Sequence, residues 1–140
     1  MPKKYGLSKN EKLKSVIKTE KLFTTGKSFR IFPFNIYYRF GSREEIGNNQ
    51  FMVSVSKHYF KHAVDRNRMK RLIREAYRLN KLTLYEASEK NGVVFNVGFV
   101  YKCGVINGFD TIESSVKNAI ALLTEKINGF HDKISSKDNL

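Results

Sequence analysis

The chain has 140 residues, 41% hydrophobic and 28% charged, a composition that suits one folded domain over 1–140 and excludes a fully disordered chain. Twenty-six Lys and Arg against 13 Asp and Glu leave a net charge of +13, which favours a polyanionic partner, nucleic acid before an anionic membrane surface. Cys103 is the only cysteine, so an internal disulfide and a cysteine-based zinc site are excluded; no run approaches a membrane span and MPKKYGLSKNEKLKS holds no apolar leader, so the expectation is a soluble cytoplasmic protein.

In chain order, residues 1–8 are polar and basic and read as a flexible arm. Ser8 and Glu11 have the spacing of a capping box, which predicts a short helix over 9–18 with Leu13, Val16 and Ile17 on one face. Thr19 is placed to cap a second turn, TEKLFTT, that Gly26 ends. Residues 29–40, FRIFPFNIYYRF, are aromatic and β-branched, as a strand requires. Alternation puts Phe32, Phe34, Ile36, Tyr38 and Phe40 on an apolar face and Ile31, Pro33, Asn35, Tyr37 and Arg39 on a mixed one. Pro33 lacks an amide hydrogen and points to an edge strand. GSREEIGNN reads as a polar connection, and FMVSVS as a strand with Phe51, Val53 and Val55 inward and Met52, Ser54 and Ser56 on the other face. A helix follows over 63–80, then a helix end and loop in KLTLYEASEKNG. NGVVFNVGFVYK is apolar at nearly every position, as in a central strand. Asp110 and Glu113 open a last helix whose Ile112, Val116, Ala119, Ile120, Leu123 and Ile127 recur at helical spacing. Asn128-Gly129 is expected to stop it and leave 129–140 flexible. The order is α-β-β-α-β-α, an α+β fold with helices on a small mixed sheet.

The helix over 63–80 carries the main signal. At about 100° per residue from Arg66, the residues Met69, Leu72, Ile73, Ala76 and Tyr77 fall within an arc from about 240° to about 20°. Arg66, Arg68, Lys70, Arg71, Arg74 and Arg78, with Asn67 among them, lie between about 0° and about 200°, and Glu75 is the only acid with them. A plain solvated face is the bland alternative. Against it stand the excess of Arg, whose fork pairs bidentately with phosphate, the missing alternation of charge sign, and the matching charge of the whole chain. A membrane-surface helix would need its apolar face exposed, and here the core takes that face.

The stretch VSVSKHYFKHAVDRNRMKRLIREAYR resembles the signature of the bacterial ribonuclease P protein subunit. That family has a strand ending in a Val-Ser-Lys-type sequence, a short loop, an Ala-Val pair, then Arg-Asn-Arg, an apolar residue, Lys-Arg, two apolar residues and Arg. All of these stand between Val53 and Arg74. Phe23 and Gly26 match the family's Phe-x-x-Gly at the end of the first helix, and the flanking order of elements agrees more loosely.

The resemblance implies a fold like ribosomal protein S5 domain 2, with a left-handed crossover through the basic helix where a right-handed one is usual. It implies a helper to a catalytic RNA that removes the 5′ leader of precursor tRNA with magnesium ions bound through the RNA. The protein alone would be inactive, with no catalytic residue, cofactor, metal or obligate protein partner of its own. Arg66, Asn67, Arg68, Lys70, Arg71 and Arg74 would dock on that RNA, with Arg78 and Lys57 adding cations. Asn67 could lie near an RNA-held magnesium ion or make a plain polar contact. The single-stranded leader would enter a cleft lined by Phe23 and Tyr37, with Ser54 and Ser56 reaching sugar or phosphate. Phe23 is equally readable as a core residue closing the first helix, and Tyr37 as sheet packing. Many family members carry a phenylalanine where this chain has Thr19, which shrinks the stacking platform unless Ile17 or Ile31 fills the gap.

Rival readings are a ribosomal or RNA-chaperone protein and a metal-dependent nuclease acting alone. His58 and His62, four apart across a loop-to-helix boundary, have no carboxylate pair to complete a metal site. Cys103 and His131 could be a nucleophile pair only with an activating environment that the sequence does not show. Asp65 suits a helix start.

Overall fold

The computed structural model describes residues 9–138, with side chains through Phe130. After a 3-10 turn at Lys9–Glu11 come α1 (Val16–Thr25), β1 (Lys27–Ile31), β2 (Phe34–Gly41), α2 (Arg43–Ile46), β3 (Gln50–Val55), α3 (Ala63–Asn80), α4 (Leu82–Asn91), β4 (Val94–Tyr101) and α5 (Phe109–Asp138). The strands form one sheet in the order β1-β2-β4-β3. The pairs β1–β2 and β2–β4 are antiparallel, whereas β3–β4 is parallel. A parallel pair cannot be joined by a hairpin, so the chain crosses over from β3 to β4 through α3 and α4. The α+β class and the order of elements agree with the sequence reading, and β4 is internal as its unbroken apolar run demands.

One face of the sheet makes the core. Phe34, Ile36 and Tyr38 of β2, Phe95, Val97, Phe99 and Tyr101 of β4, and Phe51 and Val55 of β3 are all buried. Over them lie Met69, Ile73, Ala76 and Tyr77 of α3, Leu84 of α4, and all six of the periodic apolar positions of α5. The Tyr77 ring lies flat on Phe51, centroids 3.8 Å apart and planes 2° from parallel, which fixes α3 on β3. The other face carries α1, whose Leu22 sits over Gly98. A Cβ on Gly98 would stand 3.1 Å from Leu22 Cδ2 and 3.3 Å from Met52 Cγ, so the bare backbone lets α1 seat there.

Five local expectations are corrected. Residues 9–18 are not one helix. Lys12 bridges to Phe51 and the Leu13 amide donates to the Phe51 carbonyl at 3.0 Å, so this segment extends the edge of β3. The helix starts only after Ser15, whose Oγ accepts from the Lys18 amide, and Val16 and Ile17 therefore face solvent. The Glu11 carboxylate accepts from Lys81 Nζ at 2.5 Å and from the Tyr85 hydroxyl at 2.6 Å. Ser8 and the arm 1–8 lie outside the described residues, and Thr19 is inside α1.

Residues 29–40 are a hairpin, not one strand, turning at Phe32 and Pro33 across a cis peptide bond. Pro33 sits in the turn and β2 is internal, so its missing amide costs no ladder bond. The turn also resets the alternation: Ile31 packs on the core side and Phe32 is 72% exposed. Residues 42–49 contain α2, capped by Ser42 Oγ and anchored by buried Ile46. KLTLYEASEKNG is mostly helix, α4, ended by Gly92 at φ 63° in the left-handed region. Finally, α5 does not stop at Asn128-Gly129 but continues to Asp138. One glycine costs a helix about 1 kcal/mol, and Ile127 and Phe130, both packed on the core, outweigh it.

Candidate nucleic-acid interface

Because Met69, Ile73, Ala76 and Tyr77 are drawn into the core, the basic side of α3 turns outward. Asn67, Arg68, Arg71 and Arg74 are exposed; Arg66, Lys70 and Arg78 are half-buried. The helix starts at His62 without a side-chain cap, and Asp65 in its first turn complements the exposed amides.

The six cations are not equivalent. Arg66 turns back on its own loop, Nη1 donating to the carbonyls of Phe60 at 2.8 Å and Lys61 at 2.9 Å. Arg78 grips Glu75, Nε donating to Oε2 at 3.0 Å and Nη2 to Oε1. That hydrogen-bonded pairing holds the Glu75 carboxyl below its usual range and raises the Arg78 guanidinium. Arg68, Lys70, Arg71 and Arg74 pair with no carboxylate among the described residues. Asn67, Arg71, Arg74, Glu75 and Arg78 line a recess of about 460 Å³. Four cations within two turns and without an internal anion repel one another, and phosphate relieves that repulsion.

The second candidate surface is the sheet face away from the core, where α1 leaves it uncovered. Tyr37, Gly98 and Met52 stand in one row across β2, β4 and β3, and Asn35, Val100 and Ser54 in the next. Phe23, 36% exposed on α1, meets Tyr37 edge-on with centroids 4.8 Å apart. So Phe23 and Tyr37 form one aromatic step, and Ser54 lies on the same face two strands away. Phe23 is not a core residue. Ser56 follows β3 and its Oγ already accepts from the His58 amide at 3.0 Å; Lys57 beside it is exposed. Ile17 points to solvent and Ile31 to the core, so neither fills the place beside Thr19.

Sequence reasoning passed over Asn35, Met52 and Val100 as site residues. Asn35 Oδ1, near the hairpin end of β2 on this face, is buried with no hydrogen-bond partner, a polar group left unsatisfied within the chain. Asn35 already stood on the mixed face by alternation, but its neighbours follow only from the strand order.

His58 and His62 are exposed on the loop before α3. Cys103 is half-buried, and the amide of Asn107 lies 3.9 Å from its sulfur; the His131 side chain lies outside the described residues. Among the described residues no group of three or more His, Cys, Asp or Glu could hold a metal ion, and no helix is long and apolar enough to cross a membrane.

Fold and surface together define a small α+β protein with a cationic helix face and an open aromatic sheet face, both suited to an extended polyanion. The family model described as Ribonuclease P matches residues 1–102. The ribonuclease P protein component of Porphyromonas gingivalis is 35% identical over 119 residues, covering 85% of this chain and 87% of that protein. That of Borrelia turicatae is 31% identical over 112 residues, covering 80% and 90%. The solved RNase P protein of Staphylococcus aureus has the same fold, with a TM-score of 0.59 at 19% identity over 80% of this chain and 94% of that one. The chain belongs to the ribonuclease P protein family.

Proposed function

We propose that this chain is the cytoplasmic protein subunit of ribonuclease P. It binds the catalytic RNA and the 5′ leader of precursor tRNA, and so assists magnesium-dependent removal of the leader. The observation that carries this reading is the cation run of exposed Arg68, Arg71 and Arg74 with half-buried Lys70, lying inside the family motif and unpaired with any acid among the described residues. Those cations neutralise phosphates of the catalytic RNA and release counterions. The leader lies on the open sheet face, where Phe23 and Tyr37 stack on bases without regard to sequence. Asn35, Ser54, Ser56 and Lys57 supply polar and charged contacts along its backbone. In this reading the magnesium ions are bound through the RNA.

The test is cleavage of precursor tRNA at low magnesium by a bacterial ribonuclease P RNA. Wild-type protein should restore cleavage, protein alone should not cut, and Arg68→Ala with Arg71→Ala should lose the rescue. Failure of folded wild-type protein with several such RNAs would sink the proposal and favour a ribosomal or RNA-chaperone role.

A further inference from the structure

A pocket of about 350 Å³ opens between the start of β1, the end of β2 and the second half of α5, lined among others by Lys27, Tyr38, Arg39, Phe40, Lys126 and Phe130. Its wall is aromatic: Tyr38 and Phe40 have centroids 4.9 Å apart, and Phe40 and Phe130 meet edge-on at 5.9 Å. Lys126 Nζ stands 5.6 Å from the ring centroids of both Phe29 and Tyr38. No carboxylate among the described residues pairs with Lys27, Arg39 or Lys126. A gap in a core is apolar, and an ordinary surface recess mixes its charges. This one joins an aromatic wall to three like charges, with a volume in the range of small-ligand sites, about 300–1,000 Å³.

We propose that this pocket takes one unpaired nucleotide of the catalytic RNA, its base against the aromatic wall and its phosphate on the three cations, an inference that rests on the function proposed above. Aromatic stacking with adjacent cations is the chemistry that holds single-stranded nucleotides. Position selects the RNA. Tyr38 and Phe40 belong to the core face, which α3 also covers, whereas the leader surface is the opposite face. The pocket lies at the β1 edge and α3 at the β3 edge, three strand spacings or about 14 Å apart. Arg39 alternates onto the leader's face and meets the pocket only at its rim, beside Gly26. A folded RNA on the core face reaches the aromatic wall, Lys126 and α3 together, and a leader on the other face reaches only that Arg39 rim.

The experiment measures binding of a ribonuclease P RNA by the full chain over a range of salt concentrations. Phe130→Leu keeps apolar packing on Phe40 but removes the ring; it should weaken binding by about five-fold or more with the salt slope unchanged. Lys126→Ala should weaken binding and lower the slope of log K against log salt by about 0.7. Phe130→Tyr should bind as wild type does. Thermal melts of each variant separate lost contact from lost fold, and Lys27→Ala, at an exposed strand end, repeats the charge test without touching the packing. Unchanged binding and slope in folded variants overturns the proposal. So does a loss confined to precursor tRNA binding by the assembled holoenzyme, which would assign the pocket to the substrate. If wild-type protein binds no ribonuclease P RNA, the function proposed above fails first, and that failure shows before any variant is compared.

Discussion

Replacing Arg68 and Arg71 with alanine isolates the electrostatics of the basic helix. Both side chains are exposed and neither has a carboxylate partner among the described residues, so folding should change by no more than about 0.5 kcal/mol. Each phosphate neutralised on a duplex contributes about 0.9 to the slope of log K against log salt, so two lost contacts should flatten it by about 1.8. At an ionic strength of about 0.1 M this is roughly a 60-fold loss of affinity for the catalytic RNA, shrinking as salt rises. The assay is a filter-binding or anisotropy titration at several salt concentrations, with a thermal melt alongside. Arg78→Ala is the internal comparison. Its guanidinium is already gripped by Glu75, so its removal should flatten the slope by less than either of the others. An unchanged slope in a folded double variant would show that these cations do not meet phosphate, whatever happens to cleavage.

Phe23→Ala and Tyr37→Ala should each reduce the preference for precursor over mature tRNA, by about 1–3 kcal/mol per stacked base, with no change in binding of the catalytic RNA; equal losses on both tRNAs would contradict leader stacking. Lys81→Met removes the cation facing the buried Glu11 carboxylate and should cost about 3–5 kcal/mol in a urea titration, while a loss under about 1 kcal/mol would mean that water or the remaining hydrogen bonds to Glu11 compensate the charge. Burial pushes the phenols of Tyr77 and Tyr85 above the ordinary value of about 10. The folded state therefore holds these protons more tightly than the unfolded one. Their contribution is complete below about pH 10 and is lost as pH rises further, so stability should fall on the alkaline side and Tyr77→Phe should flatten that fall. The +13 charge repels itself in the free protein, so sulfate should raise the melting temperature more than an equal ionic strength of sodium chloride; equal shifts would argue against anion binding.

The long elements are legible because one signal governs each. In α3 the apolar period and the charge period agree, and its bounds, Ala63–Asn80, are those expected. In α5 all six periodic positions are buried. The failures share a cause, which is that local signals compete with tertiary contacts. Residues 9–13 have a helix-start pattern, but the open edge of β3 offers backbone hydrogen bonds and Lys81 offers a charge, and both lie far along the chain. FRIFPFNIYYRF alternates as one strand because a two-residue turn at Phe32-Pro33 leaves the apolar character unbroken on either side. Asn128-Gly129 reads as a stop from propensity, yet Phe130 finds Phe40 and the helix carries on. For the site, residue types were readable and neighbours were not: Phe23 against Tyr37 follows from α1 lying over β2 and β4, and Asn35 beside Val100 and Ser54 from the strand order.

The two proposed RNA surfaces are joined through one short segment. Ser54 ends the sheet face on β3, Ser56 receives the His58 amide, and the loop then reaches His62, where α3 begins. Arg66 closes that loop by bonding to the carbonyls of Phe60 and Lys61, and Phe60 is itself buried against the core. The first arginine of the motif is thus spent on geometry. It ties the first turn of the basic helix to the loop that leads from the sheet, and leaves the next four cations for the RNA contact proposed above. The close spacing of Arg66, Asn67 and Arg68 therefore holds two environments that a sequence motif presents as one: Arg66 is bonded to the carbonyls of its own loop, and Arg68 is exposed without a carboxylate partner among the described residues. A lysine at position 66 would keep the charge but lose the forked reach to two carbonyls, so charge alone does not define what this position requires.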